Sequence, residues 1–206
     1  MKSYYTIKNT GNYEVIIQKS RFIGHVMRVQ TEKEAQDFIQ SIKKEHYNAT
    51  HNCSAYIIGD QDQFQKANDD GEPSGTAGIP MLEVLKRLKL KNTVVVVTRY
   101  FGGIKLGAGG LIRAYSTVTS ETIKHVGIVK GDLMQGYSLE ITYPLLGKVE
   151  NFIKESSYII ENILYLENVE LNVYVPIDEK EQFVEEITNV TNGQMSLKET
   201  SQKYVE

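Results

Sequence analysis

Apolar residues recur along this chain with two different periods, and the switches between them mark out the elements. From Val15 to Val29 the pattern is extended, with Phe22, Val26 and Val29 apolar among polar neighbours, and Gly24 reads as a bulge or hairpin bend. Ala35, Phe38, Ile39 and Ile42 then fall three and four residues apart, which predicts a helix from Thr31 to about His46. Thr31 is a good N-cap, and Glu34 lies at the capping-box spacing. Two strands follow, Cys53–Gly59 and Gln63–Ala67, joined by a short polar turn. Asn68–Gly78 is a run of turn formers and reads as a long loop. Pro80 suits a first helical position, and Leu82, Leu85 and Leu88 line one face of the helix it opens. Thr93–Tyr100 is a β-branched run, hence a buried strand. Leu111–His125 reads as a helix, with Ile112, Tyr115 and Ile123 among its apolar positions.

The second half has a simpler order. Gln135–Thr142 alternates as a strand, and Pro144 opens a helix to about Ser156. Tyr158–Leu166 and Val169–Val175 read as strands around the turn at Glu167 and Asn168. Asp178 is placed to cap a helix to about Val190, and Gln194–Tyr204 is a last strand. This βαββαβ order is the ferredoxin-like pattern. The fold class expected is therefore α+β with two domains, residues 1–130 and 131–206, divided near the glycines of Gly127–Met134.

Charge supports the division. Residues 1–131 carry 18 Lys and Arg against 12 Asp and Glu, whereas residues 132–206 carry 5 against 14. Seven of the basic residues fall between Glu83 and Arg113. No apolar run is long enough to span a membrane, and the first residues show no secretory pattern, so a cytoplasmic protein with no membrane partner is expected. The single cysteine, Cys53, excludes an intramolecular disulfide and suits a reducing compartment.

The basic segment contains "YFGGIKLGAGGLIRAY", Tyr100–Tyr115, with glycines at Gly102, Gly103, Gly107, Gly109 and Gly110. Neither standard nucleotide fingerprint fits it. The second glycine of a phosphate-binding P-loop would be followed by lysine, but Ala108 follows Gly107; the dinucleotide pattern fails at Ile112. The general physics remains: a strand feeding a glycine loop and then a helix presents backbone N–H groups to an anion. Arg99, Lys105 and Arg113 are the candidate charge donors, with Thr98, Tyr100 and the loop of residues 69–78 (Asp69, Asp70, Glu72, Ser74 and Thr76) framing the groove. The other reading is that the glycines serve close packing and positive φ. Both stay open.

The loop "DDGEPSGTAG" gathers Asp69, Asp70 and Glu72 with Ser74 and Thr76. Together with His51 and Cys53, these carboxylates raise a metal site as a possibility, but the donor mixture matches no defined spacing, and turn formation and capping explain the same residues. No metal or cofactor is expected. A strand cysteine is usually buried and inert, and no nucleophile elbow is present, so no catalytic residue is assigned and a non-catalytic role is favoured.

Four segments resemble the IMPACT family in its bacterial YigZ-type branch. They are "KSRFIGHV" (Lys19–Val26), "ATHNCSAYIIG" (Ala49–Gly59), "DDGEPSGTAGIPMLEVL" (Asp69–Leu85) and "VVVTRYFGGIKLGAGGLIRAY" (Val95–Tyr115). The resemblance implies a first domain similar to the second domain of a small-subunit ribosomal protein and to domain IV of elongation factor G. It also implies a tail like that factor's last domain. For function it implies a link to translation control, which eukaryotic relatives exert through protein–protein binding in the response to amino-acid starvation. The expectation is a non-catalytic RNA- or ribosome-binding protein. A regulatory protein-binding module and a hydrolase or peptidase acting at the two long loops are the alternatives.

Overall fold

The computed structural model describes residues 2–206. The chain divides into two compact units, one of residues 4–130 and one of residues 131–206 together with Lys2 and Ser3.

The first unit contains β1 (Ser3–Ile7, from Tyr4 onward), β2 (Gly11–Ile17), β3 (Ser20–Arg28), α1 (Glu32–Glu45), β4 (His51–Ile58), β5 (Phe64–Asn68), α2 (Gly78–Arg87), β6 (Thr93–Tyr100) and α3 (Gly107–Val126). Its sheet has the order β2-β3-β6-β4-β5, and every pair is antiparallel. Successive side chains of a strand point to opposite faces. In β6, Val95 and Val97 pack with Phe22, Val26, Cys53 and Ala55 beneath α2 and α3, while Val94 and Val96 pack with Tyr56, Ile58, Ala35 and Ile39 of the α1 side. A central strand buried on both faces reads as a continuous apolar run, which is why Val94–Val97 shows no alternation.

Local signals behave as the residue types dictate at the start of α1. The Thr31 hydroxyl accepts from the Glu34 N–H at 3.2 Å, and the Glu34 carboxylate accepts from the Gln30 N–H at 2.8 Å. Other expectations are corrected. The β2–β3 bend falls at Gln18 and Lys19, both with positive φ. Gly24 lies inside β3, where a Cβ would meet the Thr122 Oγ1 of α3 at 2.0 Å, so this glycine serves helix–strand contact. Pro80 is the third residue of α2. Ile112 is exposed on α3, and that helix begins at Gly107, so the last three glycines of the run lie within its first turn.

The second unit takes the chain from Gly131 onward. β7 (Ile128–Ile141) continues through the Gly127–Met134 interval read from sequence as a boundary. A 3-10 turn at Tyr143–Leu145 leads into α4 (Leu146–Lys154), followed by β8 (Ile159–Tyr165), β9 (Val169–Pro176), α5 (Lys180–Thr191) and β10 (Met195–Val205). Within this unit the strand order is β10-β7-β9-β8, all antiparallel, the arrangement that defines the ferredoxin-like fold. Val169, Leu171, Val173 and Val175 alternate inward onto Phe183 and Ile187 of α5. Asp178 does not cap α5; Glu179 occupies the N-cap without a side-chain bond, and Asp178 pairs with Lys2.

Candidate functional site

Two polar clusters end up on opposite faces of the sheet at the C-terminal end of β6, because Thr98 and Arg99 point in opposite directions. On the α3 side the buried Arg99 donates from Nη1 to Glu72 Oε1 at 2.7 Å and from Nη2 to Ser20 Oγ at 3.4 Å. Its Nε has no hydrogen-bond partner among the described residues. Phe22 and Phe101 place their rings 5.4 and 5.5 Å from the guanidinium carbon. The Tyr115 hydroxyl donates to the same Glu72 Oε1 at 2.8 Å. His51 Nε2 stands 3.7 Å from the other carboxylate oxygen, Oε2.

On the α1 side Thr98 donates to Asn52 Oδ1 at 2.7 Å and lies 3.4 Å from His25 Nε2. The Tyr100 hydroxyl is 2.8 Å from His46 Nδ1. Burial, with the neighbouring His46 charge adding to it, lowers the His25 ring to about 4. Thr98 and Tyr100 therefore do not frame the cleft at Arg99, and Arg99 is not an exposed charge donor, because its guanidinium is taken up inside the protein.

The loop from Asp69 to Ala77 is shaped by its own carboxylates. Asp69 accepts from the N–H groups of Gly75 (2.8 Å), Ala77 (3.1 Å) and Gly78 (2.8 Å), and so supplies the capping bonds that α2 otherwise lacks. Burial alone would raise this carboxyl, but those three N–H groups hold it below its ordinary value. Asp70 accepts from the Lys43 ammonium and from the Asn52 N–H at 2.7 Å, and its carbonyl binds His51 Nδ1 at 2.8 Å. Thr76 donates to the Pro73 carbonyl at 2.6 Å, and Ser74 is exposed. These carboxylates hold the loop together, and no group of three or more potential metal ligands occurs among the described residues.

Cys53 is fully buried, with its Sγ 3.0 Å from the Asp69 carbonyl, and burial pushes the thiol well above its ordinary range. A thiol so placed is a poor nucleophile. Native protein is expected to leave an aromatic disulfide reagent unconsumed until denaturant is added; stoichiometric reaction within the mixing time would contradict this placement.

The glycine run divides by role. A Cβ on Gly102 would lie 2.0 Å from the Lys19 carbonyl carbon and oxygen, so the backbones meet here and only glycine fits. Gly107, with φ +71, turns the chain into α3. Gly103 lies in the exposed loop between them, Gly110 packs on Leu106, and Gly109 has only the Arg113 Nη1 within reach, at 3.6 Å. Lys105 and Arg113 are exposed and have no ion-pair partner among the described residues. The two long loops do lie side by side. They enclose an open cleft of about 310 Å³ whose wall includes His51, Glu72, Arg99, Phe101, Lys105 and Gly107.

Sequence reading grouped His51 with Glu72, as possible metal ligands, but missed two other contacts that make the cleft, Tyr115 on Glu72 and Ser20 on Arg99. The alternation of β6 was the available signal, since Val97 and Arg99 must share the face that α3 covers.

Fold and site together define a two-domain α+β protein with a ferredoxin-like tail and a loop-lined cleft at the end of its first sheet. The Impact N-terminal domain matches residues 18–123, and a domain of unknown function, DUF1949, matches residues 139–194. The chain belongs to the IMPACT family. It is 57% identical to the IMPACT family member YvyE of Bacillus subtilis over all of this chain and 95% of that protein. It is 33% identical to the IMPACT family member YigZ of Escherichia coli, covering 88% of this chain and 90% of that one. A crystal structure of a hypothetical protein aligns with a TM-score of 0.61 and 31% identity, over 96% of this chain and 97% of that one. Human Protein IMPACT is 36% identical over 44% of this chain and 29% of its own length. Family membership supports, in the broad sense, a role related to the regulation of translation. No helix among the described residues is long and apolar enough to cross a membrane.

Proposed function

We propose that this protein binds RNA, free or within the ribosome, without catalysing a reaction, and that the binding surface is the start of α3 with the loop before it. One observation carries the reading. The exposed cations Lys105 and Arg113 flank the N-terminal turn of a 20-residue helix, and the N-cap Leu106 offers no side-chain bond to its free N–H groups. Such a turn attracts phosphate through its N–H groups and the positive end of its dipole. Arg99, assigned from sequence as a phosphate donor, instead holds the cleft wall in shape. The acidic second unit restricts non-specific attraction to polyanions.

The test is co-sedimentation with ribosomes and filter binding to structured RNA at low salt. Binding that weakens with salt is expected, and its absence at low salt overturns the proposal.

A second reading draws on Phe101, Ile104 and Ile112, exposed apolar side chains on the same loop and helix start. They suit a protein partner, and stoichiometric co-purification of a protein after nuclease treatment, with no RNA affinity, would favour that reading over the first.

A further inference from the structure

We propose that the cleft beside α3 receives a single unpaired nucleotide whose base presents N–H donors, guanine above all, to Glu72 and His51. The inference rests on the RNA-binding reading and specifies what the same surface selects.

The inner wall of the cleft carries a buried carboxylate that is only half used. Glu72 has its side chain 3% exposed, and its Oε1 already accepts from Arg99 and Tyr115. Its Oε2 accepts no hydrogen bond among the described residues. Next to it, 3.7 Å away, lies His51 Nε2. His51 Nδ1 faces the Asp70 carbonyl at 2.8 Å, so in the neutral ring that nitrogen carries the proton and Nε2 is an acceptor. In that form two acceptors, Glu72 Oε2 and His51 Nε2, stand side by side, farther apart than a hydrogen bond. A ligand N–H group satisfies both.

The rest of the cleft fits the remainder of a nucleotide. Phe101 is 47% exposed and lines one wall, where it offers a ring face for stacking. Its other neighbour is the Arg99 guanidinium, which steadies the ring. Lys105, Gly107 and Ala108 also line the cleft, at the helix start, where a phosphate meets N–H groups and one positive charge. A volume of about 310 Å³ lies at the small end of ligand sites and admits one nucleotide, not a duplex. Unpaired RNA bases are commonly bound in this way, stacked on an aromatic ring and read along the Watson–Crick edge. Guanine offers two adjacent donors on that edge, N1–H and the 2-amino group. Uracil offers one N–H flanked by carbonyl oxygens, which the carboxylate repels.

The test uses the full chain and fluorescein-labelled hexamers of uridine carrying one central guanosine, one central inosine or neither, read by anisotropy at low salt. The guanosine hexamer is expected to bind roughly tenfold tighter than the all-uridine one, and inosine, without the 2-amino group, to lose most of that gain. Phe101→Ala, at an exposed position, is expected to weaken all three. Glu72→Gln, if folded by circular dichroism, is expected to erase the preference for guanosine over uridine. Equal binding of the three hexamers, or a guanosine preference retained in folded Glu72→Gln, overturns this inference and leaves the RNA-binding reading in place. The same holds if structured RNA binds and no hexamer does. Failure of every RNA, structured or not, overturns both.

Discussion

Replacement of Glu72 by alanine is expected to cost the first unit about 3–5 kcal/mol, the largest effect of any single substitution near the cleft. The physical reason lies with the partner. Arg99 is 5% exposed, and its guanidinium sits against the Phe22 and Phe101 rings. Without Glu72 that charge remains buried with only a long bond to Ser20. The Tyr115 hydroxyl loses its acceptor as well. A buried ion pair is not itself a large source of stability; the loss comes from stranding one half of it. The paired change Glu72→Leu with Arg99→Met is therefore expected to recover most of the deficit. Cys53 supplies the measurement, because it is the only cysteine and lies in the core of the first unit. Its rate of labelling along a urea series reports unfolding of that unit alone. A Glu72→Ala midpoint equal to that of the unmodified protein would contradict the account.

Acid weakens the same unit through His25. In the fold this ring is held neutral, with its pKa lowered to about 4 from 6.5 by burial and by the charge of His46. The unfolded chain takes up a proton near pH 6.5, whereas the folded chain resists until about pH 4. The stability associated with neutral His25 is thus fully present above pH 6.5 and is lost as pH falls from 6.5 to about 4. Over that window the loss amounts to about 3 kcal/mol, at roughly 1.4 kcal/mol per pH unit. His25→Phe keeps a ring in the site and removes the titration. The difference in stability between the two proteins, followed by Cys53 labelling in urea, is expected to shift in favour of the variant by that amount between pH 7 and pH 4. A difference that stays flat across the window would show that His25 titrates as it does in water.

How far the sequence carried can be judged at particular residues. The elements with a strong period, α1 with its Thr31 cap and the Val94–Val97 strand, were legible because local chemistry and tertiary packing agree there. The βαββαβ order of the tail was legible for the same reason. The start of α3 was not, because glycine has low helix propensity and nothing local announces that Gly107–Gly110 will be wound into the first turn. Gly24 looked like a bend because its need for close contact comes from Thr122, almost a hundred residues away. The Asp69–Asp70–Glu72 triplet suggested metal ligation because composition does not say where a carboxylate points. In the fold, Asp69 turns to backbone N–H groups, Asp70 to Lys43 and Asn52, and Glu72 to Arg99. Neighbours in sequence thus take three separate tasks.

The salt dependence of RNA affinity, compared between the unmodified protein and the double variant Lys105→Ala, Arg113→Ala, tests the central claim most directly. Each phosphate contact removed lowers the slope of log affinity against log salt by about 0.7–0.9. The account predicts weaker binding at every salt concentration and a slope shallower by about 1.5 in the variant. Equal affinity and equal slope in the two proteins would contradict it, because RNA would then be held elsewhere on the chain.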